Sequence, residues 1–375
     1  DAEFIVNVSA SPFYVGKGRE REALVRRYVE AHKVPFIYCN MVGGQDELVF
    51  DGRSFVMGAD TKIMARAAAF EPEIYVAELD MKTGTGDEVP APPFSREQEI
   101  LSAHILNLRD YVHKQKIFKG IVVGLSGGVD SAYTAYVAAQ AVGPQNVMCV
   151  AMPTRYTSQQ SLDDAAQCAK NIGAQYKVVS IESMFRSGLE SFADTFGDTP
   201  WGVAEENDQP RYRMMILMKI SQKFGYLVCT TGNKSEISTG YFTMFGDGAG
   251  GKNVPGDLYK TELYQVVRCI NREREIIPRS IVHKPPTAEL RENQKDTDSL
   301  PPYPELDPVI KLVVEGRLSK DEIVERGYDR ALVDRVYHLY KQSEFKRGQL
   351  PLGIKISKKA YGVGRRIPIT NLWQG

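Results

Sequence analysis

Gly120-Ile-Val-Val-Gly-Leu-Ser126-Gly127-Gly128-Val129-Asp130-Ser131 reads as a short apolar strand that runs through a glycine turn into a helix. A strand with no polar face belongs inside a sheet covered on both sides. The turn has the makings of a polyanion cradle. A helix N-terminus presents unpaired N–H groups and the positive end of a dipole, and paired glycines let the backbone approach phosphate oxygens. Ser126 and Ser131 add hydroxyl donors, and Asp130 supplies a hard oxygen suited to Mg2+. The plainer reading is a glycine turn with Asp130 and Ser131 as capping residues. The match over the whole strand–loop–helix context favours phosphate binding.

Downstream of this loop, strands and helices alternate. Helix Ser131–Ala141, strand Val147–Met152, helix Gln159–Ile172, strand Tyr176–Ile181, helix Pro210–Phe224 and strand Gly225–Thr230 follow in order. Upstream lies a long helix over Arg96–Gln115. Short apolar strands separated by helices predict an α/β fold with a doubly wound parallel sheet. Ligands of such sheets sit beyond the carboxyl ends of the strands, so Ser126, Met152–Ser158 and Thr230–Lys234 are expected on one rim.

Residues 1–80 read differently, and residues 81–95, with Thr-Gly-Thr-Gly-Asp and Pro-Ala-Pro-Pro, read as a linker before a domain over 96–375. Phe4–Val8 reads as a strand, Arg19–His32 as a helix and Pro35–Asn40 as a strand. Glu47–Phe50 and Ser54–Met57 flank Asp51-Gly52 as a hairpin, and Ile74–Leu79 closes the segment. The start, Asp-Ala-Glu-Phe, has no Met and no signal-peptide core, which predicts a chain that begins inside a domain. Cys39 ends strand 35–40, where a small buried hydrophobe is the expected role.

Lys+Arg and Asp+Glu both number 47, which argues against binding nucleic acid or anionic membrane through bulk positive charge. Hydrophobic residues at 43% and charged residues at 25% exclude wholesale disorder. No apolar run reaches the roughly 18 residues of a membrane-spanning helix. The 5 cysteines are scattered without a C-x-x-C pair, which fits a reducing cytoplasm better than a disulfide framework or a cysteine zinc site.

A second glycine-rich stretch, Gly246-Asp-Gly-Ala-Gly-Gly251-Lys252-Asn253, nearly spells a Walker loop. It lacks the terminal Ser/Thr, and Pro255 stands where a helix is required, so it reads as a mobile active-site loop.

The loop Ser126–Ser131 resembles that of the ATP pyrophosphatase (PP-loop) superfamily. Glu206-Asn207-x-Gln209-x-Arg211-x-Arg213-Met214, Thr231-Gly-Asn-Lys-Ser-Glu236, Gly240-Tyr241-x-Thr243-x-x-Gly246-Asp247 and Asp257-Leu-Tyr-Lys260-Thr261 are similar to NAD+ synthetases. So are Lys284-Pro-Pro-Thr287-Ala-Glu-Leu290 and Asp298-Ser-Leu-Pro-Pro-Tyr303. Glu344-Phe-Lys346-Arg347 through Arg365–Asn371 resembles the glutamine-dependent, two-domain version. Asn7-Val-Ser-Ala-Ser11-Pro-Phe13 and Gly44–Gly52 look like the second half of its nitrilase-like glutaminase domain.

The resemblance implies an adenine nucleotide alpha hydrolase-like sheet preceded by a partial nitrilase-like α/β sandwich. It also implies amidation of deamido-NAD+ to NAD+ at the expense of ATP, through an adenylate, with release of pyrophosphate and AMP. Ser126, Gly127, Gly128, Val129, Asp130, Ser131, Thr231, Lys260 and Thr287 match ATP-binding positions. Asn207, Arg211, Glu236, Asp247 and Lys346 match contacts to deamido-NAD+, and Asp130 and Glu236 match the Mg2+ ligands. Arg213 is expected to be structural, and Met244 stands where some single-domain relatives have a lysine. Ser11 and Lys17 match glutamine-binding positions, but no Glu–Lys–Cys glutaminase set is assignable. The chain is therefore not expected to hydrolyse glutamine by itself.

The same resemblance implies a homo-oligomer fed with ammonia, here with a separate N-terminal glutaminase fragment. Pro153–Ser161 and Pro285–Ser299 are expected to be mobile covers that keep water from the adenylate. Competing readings are another PP-loop ligase, such as a GMP-synthetase-like amidotransferase or a tRNA thiolase, and a catalytically silent assembly subunit. A thiolase should show paired cysteines and a basic face, and neither is present.

Overall fold

The computed structural model describes residues 2–80, 82–92, 94–362, 364–365 and 367–370. Met81 and Pro93 of the expected linker, and Arg366 and Asn371 of the quoted tail, lie outside the described residues. The chain divides into two compact units, Asp1–Tyr111 with Lys355–Lys358, and Val112–Ile354 with Lys359–Gly375.

The first unit holds β1 (Ile5–Ser9), α1 (Lys17–His32), β2 (Phe36–Asn40), β3 (Val42–Gln45), β4 (Leu48–Asp51), β5 (Phe55–Met57) and β6 (Ile63–Arg66). Its main sheet runs β1-β2-β5-β6, with β1 and β2 parallel and the other pairs antiparallel. Val25 and Val29 of α1 pack with Phe36, Tyr38, Phe55, Met57 and Ile63 to form its core. Alternation along β2 sends Phe36 and Tyr38 into that core and leaves Cys39 exposed on the opposite face. The expectation of a buried Cys39 is thus wrong. The position is strand-like, but it faces away from the core.

The expected hairpin at Asp51-Gly52 is also displaced. β4 pairs with β3 across a turn at Asp46-Glu47, with Asp46 at φ 52, whereas β5 pairs with β2 and β6. Asp51 is fully buried against Arg21 at 2.7 Å, so it serves an ion pair and not a turn corner. Ile74–Leu79 forms no strand, and Ile74 is 97% exposed. The closing strand is β6, which lacks a sequence signal strong enough to mark it.

Helix α2 (Arg96–Gln115) lies mostly in the first unit, although its start was expected to open the second domain. Its polar residues explain the attachment. Glu99 binds Arg53 at 2.7 Å and accepts from the Gly16 N–H, while Asn107 donates to the carbonyls of Asp46 and Leu48.

The second unit is built on β7 (Gly120–Gly124), α3 (Val129–Val142), β8 (Val147–Ala151), α4 (Gln159–Ile172), β9 (Gln175–Val178), α5 (Glu182–Phe196), α6 (Val203–Phe224), β10 (Tyr226–Thr230), α7 (Lys234–Thr239) and β11 (Lys252–Asn253). All its strand pairs are parallel, in the order β11-β10-β7-β8-β9. The chain winds outward from β7 through β8 to β9, then returns to the other side for β10 and β11. The order therefore reverses between β7 and β10, and ligands of open α/β sheets bind at such a switch point. Ile121, Val122 and Val123 are wholly buried, as their unbroken apolar run requires.

Helix α6 begins at Val203, ahead of the expected Pro210, because Glu205 reaches back to the Gly202 N–H at 2.7 Å and caps an earlier start. Helix α5 is not among the expected elements. A second all-helical core follows from α8 (Lys260–Ile270), α9 (Arg279–His283), α10 (Tyr303–Lys311), a π-turn at Leu312–Gly316, α11 (Lys320–Glu325), α12 (Arg330–Gln342) and α13 (Glu344–Arg347). Leu306, Val309, Ile323, Val333 and Val336 are fully buried there.

Candidate active site

The loop after β7 is self-bonded. The Ser126 N–H donates to Ser131 Oγ at 3.2 Å, the Gly128 N–H donates to Ser126 Oγ at 3.3 Å, and Ser131 Oγ donates to the Gly128 carbonyl at 3.0 Å. Gly127 has φ +79, and a Cβ there would lie 2.3 Å from the Ser161 carbonyl oxygen. Only glycine satisfies both demands. Val129 is buried and anchors the first turn of α3, leaving the loop's N–H groups on the sheet rim.

The loop after β10 faces it. Asn233 caps α7, accepting from the Glu236 N–H at 3.0 Å, while Glu236 Oε2 accepts from the Asn233 N–H at 3.1 Å. This reciprocal box fixes the Glu236 carboxylate. Asn233 Nδ2 also donates to Asp130 Oδ1 at 2.9 Å, which joins the two loops across the switch point. Lys260, at the start of α8, is ion-paired to Asp130 and stands 3.6 Å from Glu236 Oε1. Its backbone N–H is held by Ser235 Oγ at 3.0 Å. Lys260 is 3% exposed, so a solvated surface role is excluded.

Burial, then the Asp130 charge, pushes the Glu236 carboxyl up to about 8, with Lys260 pulling the other way. Burial opposes the Lys260 ammonium, but Asp130 and Glu236 outweigh it and raise its pKa above the ordinary lysine value. Asp130 and Glu236 thus compete for one buried lysine. Sequence reasoning missed its third acid, Asp296, which accepts from the Tyr303 hydroxyl at 2.7 Å and whose charge acts on both Lys260 and Glu236. It opens a single 3-10 turn, Asp296–Asp298, where no spacing marks it.

A second group of expected residues gathers around α7. Thr243 donates its hydroxyl to Asn207 at 2.6 Å and its N–H to Asp247 at 2.9 Å. Arg211 Nε reaches the Met244 carbonyl at 3.4 Å. Lys346 donates to the carbonyls of Gly240 and Phe242, and burial lowers its pKa while Asp247 pulls it back. Burial raises the Asp247 pKa against hydrogen bonds from Thr243 and the Asp247 backbone. Arg213 bonds to a different segment. It donates to the Met152 carbonyl at 3.0 Å, and burial lowers its pKa to about 10.

Three expected residues stand apart from these groups. Thr231 lies just past β10, and among the described residues no hydrogen bond ties it to the loop. Thr287 donates to Gln294 O at 2.6 Å, within its own segment. Lys234, expected on the rim, is wholly buried and pairs with Asp257 at 2.8 Å and Glu315 at 3.1 Å. In the first unit, Arg21 clasps Ser11 through its hydroxyl and carbonyl, and Lys17 sits near Tyr14 and Glu20.

The glycine-rich stretch 246–253 is no free loop. Gly246 and Gly248 donate to the Thr243 carbonyl, Gly251 donates to that of Val228, and Lys252 is buried on β11. The stretch is therefore held in place and not a mobile loop, with Asp247 fixed by the Thr243 N–H.

A glycine loop at the switch point of a parallel sheet, with a lysine drawn between two carboxylates, is the candidate site of an α/β enzyme. Residues 100–350 match the NAD synthase family model, and residues 1–86 match that of carbon-nitrogen hydrolases. A glutamine-dependent NAD(+) synthetase of Synechocystis is 41% identical over 97% of this chain and 66% of its own length. One from Rhodobacter capsulatus is 44% identical over 100% of this chain and 70% of its own. The structure of the Acinetobacter baumannii glutamine-dependent NAD+ synthetase in complex with ADP is 36% identical. It superposes with a TM-score of 0.73, covering 99% of this chain and 68% of that one. The chain spans about two thirds of the length of these relatives. It belongs to the glutamine-dependent NAD+ synthetases, the carbon–nitrogen ligases that amidate deamido-NAD+ at the expense of ATP.

Proposed function

We propose that the rim between β7 and β10 converts deamido-NAD+ to NAD+ in two half-reactions. In the first, a nicotinate carboxylate oxygen attacks the α-phosphorus of ATP and pyrophosphate leaves. In the second, ammonia attacks the acyl carbon and AMP departs with the bond electrons. The observation that supports this most is the Asp130–Lys260–Glu236 cluster set directly against the Ser126–Ser131 loop. Charge builds on phosphorus and on the leaving pyrophosphate, so fixed cations and N–H donors contribute most of the stabilisation. The N–H groups of Gly127 and Gly128 and the hydroxyls of Ser126 and Ser131 hold pyrophosphate, and Lys260 holds a phosphate oxygen. Thr231 and Thr287 border the nucleotide. Asn207, Arg211, Asp247 and Lys346 line the side that takes deamido-NAD+.

Mg2+ fits the donor set. Two carboxylates share one lysine, and burial followed by the Asp130 charge raises the Glu236 pKa, a cost that a hard cation would relieve. Among the described residues no group of three metal-ligating side chains forms, so nucleotide oxygens and water complete any shell. Asp130 and Glu236 would hold the ion, which would supply positive charge to the phosphates.

Ammonia comes from glutamine through a complementing glutaminase segment that joins the first unit, where Ser11 and Lys17 contact glutamine. β1 ends its sheet, and Val6 and Val8 are 52% and 82% exposed, an open edge and face that such a segment would cover. A homo-oligomer in the cytoplasm completes the reading. Among the described residues no helix is long and apolar enough to cross a membrane.

The test supplies ATP, Mg2+, deamido-NAD+ and ammonium, and measures NAD+ and AMP. Equal amounts of both are expected. Absence of AMP with every nicotinate substrate would sink the reading in favour of a silent assembly subunit.

A further inference from the structure

Two segments that border the phosphate loop are fastened to each other by a set of contacts that the roles proposed for the site residues leave unexplained. One runs from the end of β8 to the start of α4 and includes Thr154, Ser158 and Ser161. The other, between α9 and α10, includes Lys284, Glu289 and Leu290. Glu289 Oε1 accepts from Ser158 Oγ at 3.0 Å, from Ser161 Oγ at 2.7 Å and from Lys284 Nζ at 2.7 Å. Lys284 Nζ also donates to Ser161 Oγ. A second tie comes from α6. Gln209, with no exposed surface, accepts from Thr154 Oγ1 at 2.9 Å and donates to the Leu290 carbonyl at 2.7 Å.

Ser161 places this knot beside the nucleotide. Its backbone presses on Gly127 so closely that a Cβ there would meet the Ser161 Cα at 2.9 Å. The residue that carries the Lys284 ammonium on its hydroxyl is therefore the one packed directly on the phosphate loop. Two of the ammonium's three donors are engaged, by Ser161 and Glu289, and the lysine side chain keeps 25% exposure. Glu289 itself sits at φ +49, a left-handed backbone that a non-glycine residue adopts at a cost its contacts must offset.

We propose that Lys284 is a further phosphate-binding residue of the ATP site, and that Glu289 is the positioning residue that holds it there while locking the two segments together. The inference rests on the proposed ATP-binding role of the Ser126–Ser131 loop. It requires that the lysine's remaining donor reach a phosphate oxygen, and that the lock retain the adenylate until ammonia arrives.

Three measurements decide it. Isothermal titration with inorganic pyrophosphate should show binding weakened about ten- to a hundredfold in Lys284→Met, the loss expected for one charge-assisted bond. The ATP KM should rise in step, the deamido-NAD+ KM should stay unchanged, and Lys284→Arg should recover much of the pyrophosphate affinity. Glu289→Gln should raise the AMP released per NAD+ formed above the wild-type ratio, because a loosened lock lets water reach the adenylate. Unchanged pyrophosphate affinity in Lys284→Met, or an unchanged AMP-to-NAD+ ratio in Glu289→Gln, would overturn the corresponding assignment. Should either variant fail to fold, amine acetylation of the intact wild-type chain read by mass spectrometry still tests Lys284. Pyrophosphate should protect it, and equal labelling with and without pyrophosphate refutes the contact. A wild-type chain that binds pyrophosphate yet makes no AMP would overturn the synthetase reading alone.

Discussion

Two stretches of this chain, Ser126–Ser131 and Gly246–Asn253, are glycine-rich, and each passes on sequence for a phosphate loop. The first succeeds the central strand and opens a helix of 14 residues. Its backbone lies at the sheet rim, where the Gly128 N–H is held by the Ser126 hydroxyl. The second folds against the side of β10, where its glycines leave room for the sheet. A Cβ on Gly250 would lie 2.4 Å from Thr230 Cγ2, and one on Gly251 would lie 2.5 Å from Leu227 Cδ1. Even Lys252, in the position of a phosphate-binding lysine, is turned inward and reaches the Gly353 carbonyl. Glycine content alone does not distinguish the two. The element on the C-terminal side of each stretch does, because only a helix start supplies aligned N–H donors.

The comparison breaks most visibly at Asp130. Asp130→Asn keeps the shape of the side chain and the bond from Asn233 but removes the charge that Lys260 answers. Turnover with ammonium should fall by at least about a hundredfold, the scale seen when a preorganised electrostatic partner is lost. The melting temperature should change little. Near-normal turnover would remove the first loop from the chemistry.

Gly127→Ala comes next, because it violates both backbone and space. At φ +79, with the Ser161 carbonyl 2.3 Å from the new methyl, the loop or helix α4 must move. Overpacking of this kind costs about 1–3 kcal/mol, so denaturant unfolding should show the loss together with weakened ATP binding. Gly250→Ala should cost a similar amount of stability through Thr230, yet leave the ATP KM near the wild-type value. An ATP KM that rises as steeply for Gly250→Ala as for Gly127→Ala would show that the second stretch also touches the nucleotide.

Legibility in the sequence depended on range. The Ser126–Ser131 loop and β7 were legible because strand, turn and helix start are contiguous, and the parallel sheet was implied by regular alternation. Asp296 was not legible. Its role comes from burial beside Tyr303 and from charges on Lys260 and Glu236, which the fold assembles from distant segments. Asp51-Gly52 misled because the pair has turn composition, and the buried Arg21 that claims Asp51 lies 30 residues away. Lys234 misled in the same way. A lysine within a nucleotide-site motif suggests a phosphate contact, yet Asp257 and Glu315 hold it inside the helical core. Short-range signals survive in sequence, and partner choice across the fold does not.

The smallest expected effect is the sharpest probe of the contrast. Gly128 caps α3 with φ −96 and ψ 159, a backbone open to any residue. A methyl there meets only Ser126 Oγ, at 3.3 Å, the end of a short side chain. Alanine caps a helix less well than glycine but also restricts the unfolded chain, and these opposing effects are each below about 1 kcal/mol. Stability should therefore stay within about 0.5 kcal/mol of wild type, a melting shift of roughly 1–2 °C. The methyl nonetheless projects beside the N–H groups offered to pyrophosphate, so the ATP KM should rise several-fold while the deamido-NAD+ KM holds. Gly250→Ala predicts the reverse pattern, lost stability with retained affinity. If Gly128→Ala instead destabilises the fold and leaves ATP binding intact, the first loop is a structural turn like the second, and the assignment of pyrophosphate to its N–H groups fails.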